Sequence, residues 1–171
     1  MSGITGRHMI GEYLNTTPKK EAKTWGVMGS GFTEANEEVN AQTDSKKYIN
    51  DASATGSVKS YEWTKPIVAD LIEDEEVIAY LADIGRLMKT GGECETEHVT
   101  VHFNKPVSGK DNIYYARKIG VSVAISSFSD NDGEMQIEGD LLGRGDIVEG
   151  EFDTVARTFT EKAGIVVQPE N

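Results

Sequence analysis

The chain of 171 residues has one cysteine, Cys94, which excludes an intramolecular disulfide framework and removes any need for an oxidising compartment. No apolar run approaches the ~18 residues of a membrane span. The opening MSGITGRHMIGEYL lacks the continuous apolar h-region of a signal peptide. Both absences point to a soluble protein that folds where it is made and has no membrane partner. Basic residues are scarce as well. Seventeen Lys and Arg stand against 29 Asp and Glu, a net charge of −12, and like charge repels a phosphate backbone. Aromatic residues make up only 8%, with Trp25 and Trp63 the two tryptophans, a thin basis for the aromatic platform of a free β-sandwich binding module.

Catalytic ingredients are equally sparse. Cys94, His98 and His102 are candidate metal ligands, but the two histidines would lie about 13 Å apart along a strand, too far for one ion. In DNDGE, Gly133 at the sixth position of a calcium loop puts Phe128 first and Gly139 twelfth, where carboxylates are required. GSGFTE lacks the third glycine of a dinucleotide fingerprint. Asn15-Thr16-Thr17 is a glycosylation sequon, empty without secretion, and GRGD at Gly143–Asp146 reads as a turn between strands. No nucleophile stands with a base, so no catalytic residue, metal or cofactor is expected, and the protein reads as a non-enzyme.

What is present suits one domain of short strands and turns: 18 glycines and a hydrophobic fraction of 37%. Residues 1–22 show no sustained period and read as an arm. TWGVMG from Thr24 is a candidate first strand, SKKYIN a brief second one, and DASATGS a mobile loop. VKSYEW follows, then IVADLI beyond a break at Pro66. From Asp74, DEEVIAYLADIGRLMKTGG predicts a helix with Val77, Leu81, Ile84 and Met88 on its core face. Gly91 and Gly92 are its expected stop. EHVTVHF alternates, with Val99, Val101 and Phe103 opposite His98, Thr100 and His102, and the polar side is expected to be an exposed strand face. NIYYARKIGVSVAISSF reads as a long strand bent at Gly120, and Asp132-Gly133 as a hairpin turn. The order predicts an α+β, mainly β fold: an antiparallel sandwich or barrel-like domain with one flanking helix at about 74–90.

One charge pattern stands out. In MQIEGDLL, Gln136, Glu138 and Asp140 share a face opposite Met135, Ile137 and Leu141. In IVEGEFD, Glu149, Glu151 and Asp153 share a face opposite Val148 and Phe152. These acidic rows fit either a solvated outer face or a negatively charged inner wall along which DNA slides without sticking. A one-residue slip in register would turn a whole row to the other side.

Residues 24–160 resemble the major tail tube proteins of tailed bacteriophages and prophages, a fold shared with contractile-tail and type VI secretion tubes. The alternatives are the tube of a contractile or type VI-like injection machine, which moves proteins, and a free β-sandwich binding module. The residues that carry the resemblance are WGVMGSGFTEANEEVNAQTDSKKYINDASATGSVKSYEW, the helix with its TGG exit, and EGDLLGRGDIVEGEFD. The resemblance implies a structural virion protein with an N-terminal arm (1–22), a tail-tube β domain (23–162) and a C-terminal tail (163–171). It implies hexameric rings in which each subunit adds four strands to a continuous 24-stranded inner barrel. Rings stack into a hollow tube that conducts DNA on ejection without binding it specifically. The expected partners are further copies of the chain, a tape-measure protein and a tail-tip or baseplate initiator, with assembly in the host cytoplasm and residence in the virion tail. Under this mapping Glu138, Asp140, Glu149, Glu151, Asp153 and Glu62 line the lumen. The polar loop Asn40–Ser57, with Asp44, Lys46, Lys47, Tyr48 and Asp51, reaches the adjacent ring, mobile in the monomer and ordered in the tube. VKSYEW, which has no apolar face of its own, becomes a stave of a shared barrel.

Overall fold

The computed structural model describes residues 3–162; the expected tail at 163–171 lies outside the described residues. In chain order the elements are β1 (Ile10–Asn15), β2 (Trp25–Val27), β3 (Phe32–Ala35), β4 (Ala41–Lys46), β5 (Thr55–Tyr61), β6 (Thr64–Asp70), α1 (Glu76–Arg86), β7 (Glu95–Pro106), β8 (Ile113–Asn131), β9 (Glu134–Asp153) and β10 (Thr158–Glu161). Eight strands form one antiparallel sheet in the order β2-β1-β7-β8-β9-β6-β3, with β10 beside the C-terminal half of β9; β4 and β5 pair with each other alone. The fold is α+β and mainly β, an antiparallel half-barrel with one helix against it.

The spine is the β8–β9 ribbon. Asp132 and Gly133 take φ of 53° and 89°, both positive as a two-residue type I′ turn requires, and Asn131 faces Glu134 across it. The ribbon bends where Gly120 predicted, at a register shift between Lys118 and Gly120. The expected turn at Gly143–Asp146 is not one. β9 runs through it, and Gly145, Asp146 and Ile147 bulge opposite the single residue Ile119, with Gly145 at φ 79°. Gly139 is needed for close approach, because a Cβ there would collide with the carbonyl of Ala124 on β8.

Each face of the sheet has its own core. On the face toward α1, Leu14, Ile67, Val121, Val123, Ile137 and Leu141 pack under Val77, Ile78, Leu81 and Ile84 of the helix. On the far face, Tyr13, Trp25, Val99, Val101, Ala116 and Phe152 form a second cluster. Tyr13 on β1 and Phe152 on β9 have two strands, β7 and β8, between them in the sheet, yet their rings lie 4.3 Å apart. The sheet therefore curls closed at that end.

Four expectations need correction. Residues 10–15 are not part of an arm: β1 pairs with β2 and β7 and is buried from Glu12 to Asn15. Its signal was hidden because Glu12 sits between Ile10 and Leu14 on the inward side. Met88 is not on the helix core face. α1 spans Glu76–Arg86, shorter than the expected 74–90. The stop is not Gly91 and Gly92 but Met88, which takes the left-handed position (φ 47°) of a Schellman motif, its N–H donating to Gly85 and that of Lys89 to Ile84. Its side chain is 83% exposed, whereas Val77, Leu81 and Ile84 are buried as expected. Pro66 does not break the chain but lies inside β6. Thr64 exchanges both backbone hydrogen bonds with Glu38, so by alternation Pro66 directs its missing donor to the β3 side, away from β9. His98 is not on an exposed face; it is fully buried beside Trp63, because β6 and β1 close over that side of β7.

Candidate assembly surface

The ribbon that starts as β3–β6 does not end at the sheet. Ala35 faces Ile67, Glu38 faces Thr64 and Ala41 faces Tyr61 in one unbroken register, so β4–β5 continues the same hairpin beyond the body. From Ala41 to Tyr61 every residue except Asp51 is exposed, on both faces of the ribbon. The expected loop Asn40–Ser57 is thus a strand pair for half of its length, and residues 47–54 form the turn. Its alternation was illegible because neither face carries apolar residues that a core would select. Of the residues assigned to it, Asp44 and Lys46 lie on β4, with Asp44 3.2 Å from Lys59 across the ribbon. Lys47 opens the tip. There the Tyr48 N–H donates to the Asp51 carboxylate and the Asp51 N–H to the Tyr48 carbonyl, both at 3.0 Å. The Lys46 ammonium stands 5.8 Å from the Tyr48 ring. An isolated two-stranded ribbon is marginal in water, so the arm gains its order from its root or from a partner.

The root is held by buried charge. Lys65 on β6 contacts Glu12 on β1, and their side chains are 1% and 2% exposed. Arg7 caps the same carboxylate at 2.8 Å. Arg117 on β8 clamps Glu37 with two hydrogen bonds of 3.1 and 3.0 Å, and its Nε donates to His102 Nε2 at 3.1 Å. Burial lowers the Lys65 ammonium to about 7, with Arg7 and Arg117 adding to the effect. Burial likewise drives His98 well below its ordinary value, followed by Lys65 and Arg117, so its ring is neutral; neither ring nitrogen has a hydrogen-bond partner. His102 is lowered too, by burial first and then by Arg117 and Lys105. Lys65 and His98 are buried, and these groups fasten the arm to the body; Arg7, Glu12, Glu37, Lys65, His102 and Arg117 also line an open depression of about 290 Å³. Among the described residues no group of three or more His, Cys, Asp or Glu is placed to hold a metal ion. Nothing in the sequence pairs Glu12 with Lys65 or Glu37 with Arg117. The one available signal was a lysine between a tryptophan and a proline in an otherwise apolar alternation.

The acidic rows belong to one strand, β9, and lie on opposite faces of the sheet. Glu138 and Asp140 pair with Val68 and Pro66 on the far face. Glu149, Glu151 and Asp153 pair with Arg117, Tyr115 and Ile113 on the helix side, beyond the helix itself. Lys110 reaches Glu151 at 3.1 Å. A single surface can therefore carry one row, not both. Glu62 is exposed at the root of the arm, its N–H donating to Asn40. Beside Glu138 and Asp140, the far face of β6 and β3 adds Asp70 and Glu34.

Two sheet edges are open. β3 ends the sheet on one side, and Val123–Asn131 of β8, beyond its pairing with β7, has no strand partner among the described residues on the other. Across β3-β6-β9-β8 the strands alternate in direction, so β3 of a second copy placed against Val123–Asn131 would continue the antiparallel order.

No family model matches the chain, and no curated protein matches it. Among solved structures, a chain in the cryo-EM structure of the anti-feeding prophage baseplate, 6-fold symmetrised, aligns with 87% of this chain and 97% of its own length. The TM-score is 0.47 and the identity 7%, values too low to carry a fold or a role from one to the other.

Proposed function

We propose that the chain is a structural subunit of a phage-type tail tube, in which rings of six copies stack into a hollow conduit for DNA. The observation that carries the proposal is the four-stranded sheet β3-β6-β9-β8, open at both edges and uncovered on its far face. Four antiparallel strands per copy let a ring close without an edge, and the sequence resemblance supplies the sixfold count. The far face then becomes the lumen, lined by Glu138, Asp140, Asp70 and Glu34, none of which forms an ion pair among the described residues. Unpaired carboxylates repel phosphate and keep a passing duplex from adhering. Glu149, Glu151 and Asp153, on the other face, belong to the outside of the ring. The exposed arm extends to the neighbouring ring, and the tape-measure protein and initiator of such tubes are the partners this role implies.

Sedimentation velocity and negative-stain electron microscopy of the concentrated protein test the proposal. Rings and hollow tubes are expected. A second arm of the test substitutes Thr33→Pro on exposed β3, which places a proline on the outer edge at the bulge and gives up the hydroxyl bond from Thr33 to the Val68 carbonyl, so the melting temperature of the monomer is measured beside it. This variant should fold and fail to form rings. A protein that stays monomeric at every concentration, or a Thr33→Pro variant that still forms tubes, would defeat the reading.

A further inference from the structure

Where the arm leaves the body, an open groove of about 820 Å³ lies between the hairpin root and the bulge of β9. Ile119, Leu142 and Gly143 form its floor, and Val39, Tyr61 and Ile147 its walls. Leu142 and Ile147 are each 41% exposed, Val39 47% and Tyr61 63%, so the concavity holds apolar surface against water. Glu62 and Asp146 stand on its rim, and neither is in an ion pair among the described residues.

The far end of the same ribbon is the converse surface. Ile49 is fully exposed and Tyr48 largely so, a bare apolar tip with Lys46 and Lys47 directly before it. From Ala41 to Tyr61 the arm has three lysines against two aspartates, although the whole chain has a net charge of −12. A basic, apolar-tipped arm and an acid-rimmed apolar groove are complementary in both charge and surface character. The tip cannot seat in its own groove: ten residues separate Val39 from Ile49, and extended chain places the tip roughly 30 Å away.

We propose that the groove receives the Tyr48–Ile49 tip of a second copy of this chain, with Lys46 and Lys47 meeting Glu62 and Asp146. The contact joins two different patches, so it is heterologous and repeats head to tail into a stack instead of closing a dimer. The inference rests on the tube reading and names the surface by which one ring receives the next.

Two variants, Ile49→Cys and Ile147→Cys, test it, since both side chains are exposed and the native Cys94 is buried. They are mixed in equal amounts, concentrated, oxidised and run on a non-reducing gel. A disulfide-linked dimer is expected from the mixture, from neither variant alone, and only in the sedimenting polymer. Ile49→Asp should keep the fold and the rings while raising the concentration needed for stacking ~10-fold or more. Tubes that form without the mixed disulfide, or that form from Ile49→Asp at the wild-type concentration, refute the groove and leave the tube reading standing. A protein that never sediments as polymer and never yields the mixed disulfide removes both.

Discussion

Replacing Lys65 by Met takes away one half of the buried pair at the root of the arm. In the variant Glu12, still 2% exposed, keeps only Arg7 at 2.8 Å, whose side chain is 58% exposed and brings a partly solvated charge. Removing one member of a buried pair costs about 3–5 kcal/mol. The Arg7 contact survives, so the low end is expected, about 3 kcal/mol. The double variant Lys65→Met/Glu12→Leu leaves no buried charge and should lie within about 1 kcal/mol of wild type, or above it. Wild-type stability should also depend on pH. The folded ammonium is lowered to about 7, whereas free lysine titrates near 10.4. Between these values the unfolded chain binds a proton that the folded chain has released, so stability rises with pH across the window. Lys65→Met should abolish that rise. Urea unfolding at pH 7 and pH 9, followed through the buried Trp25 and Trp63, reads both effects from the midpoint at constant slope. A single variant within about 1 kcal/mol of wild type, or a double variant as unstable as its singles summed, would show that the two residues do not interact.

Further outcomes follow from other parts of the molecule. His98→Leu removes two unpartnered ring nitrogens from the core and should stabilise by about 1 kcal/mol at pH 7. The gain should grow below pH 6.5, where the unfolded histidine takes up a proton that the buried ring refuses; thermal melts at pH 5 and 7 measure it. Replacing residues 41–61 by Asn-Gly joins Asn40 to Glu62 across the hydrogen bond they already share, with Asn40 moving from its left-handed φ of 47° to the extended form that flanks a type I′ turn. The shortened protein should match the wild-type melting temperature in the monomer and lose stacking in electron micrographs. Glu138→Lys with Asp140→Lys should leave the fold intact and slow DNA release from assembled particles, while Glu149→Lys with Glu151→Lys should not. Gly139→Ala forces a methyl group onto the Ala124 carbonyl and should destabilise by about 1–3 kcal/mol or more, read by urea midpoint.

Local physics made some of the fold legible. The helix face followed from spacing, the hairpin from Asp132-Gly133, and the ribbon's bend from Gly120, since each is set by residues close in sequence. What stayed hidden depends on partners distant in the chain. Glu12 disguises β1 because its neutraliser, Lys65, is fifty-three residues away. His98 reads as solvated until β6 is seen to cross over it. Gly143–Asp146 has the composition of a turn, and only pairing with β8 shows it to be a bulge. Met88 continues the apolar period past the point where backbone bonds to Ile84 and Gly85 close the helix. The site was half visible: the acidic alternation of β9 was plain, but its phase across the bulge was not. The arm's residues were named, while its extended form carried no apolar signature.

That bulge also restricts how the chain can change in length. Between Arg144 and Val148 β9 has three residues where β8 has one, a surplus of two, so the alternation resumes in phase. One residue more or fewer would exchange the roles of odd and even positions downstream. Phe152 would turn to solvent, and Glu149, Glu151 and Asp153 would point at Tyr13 and Trp25. Two more would only enlarge the loop. Insertions and deletions in this segment should therefore be tolerated in pairs and rejected singly, a parity rule that holds whatever residues are inserted.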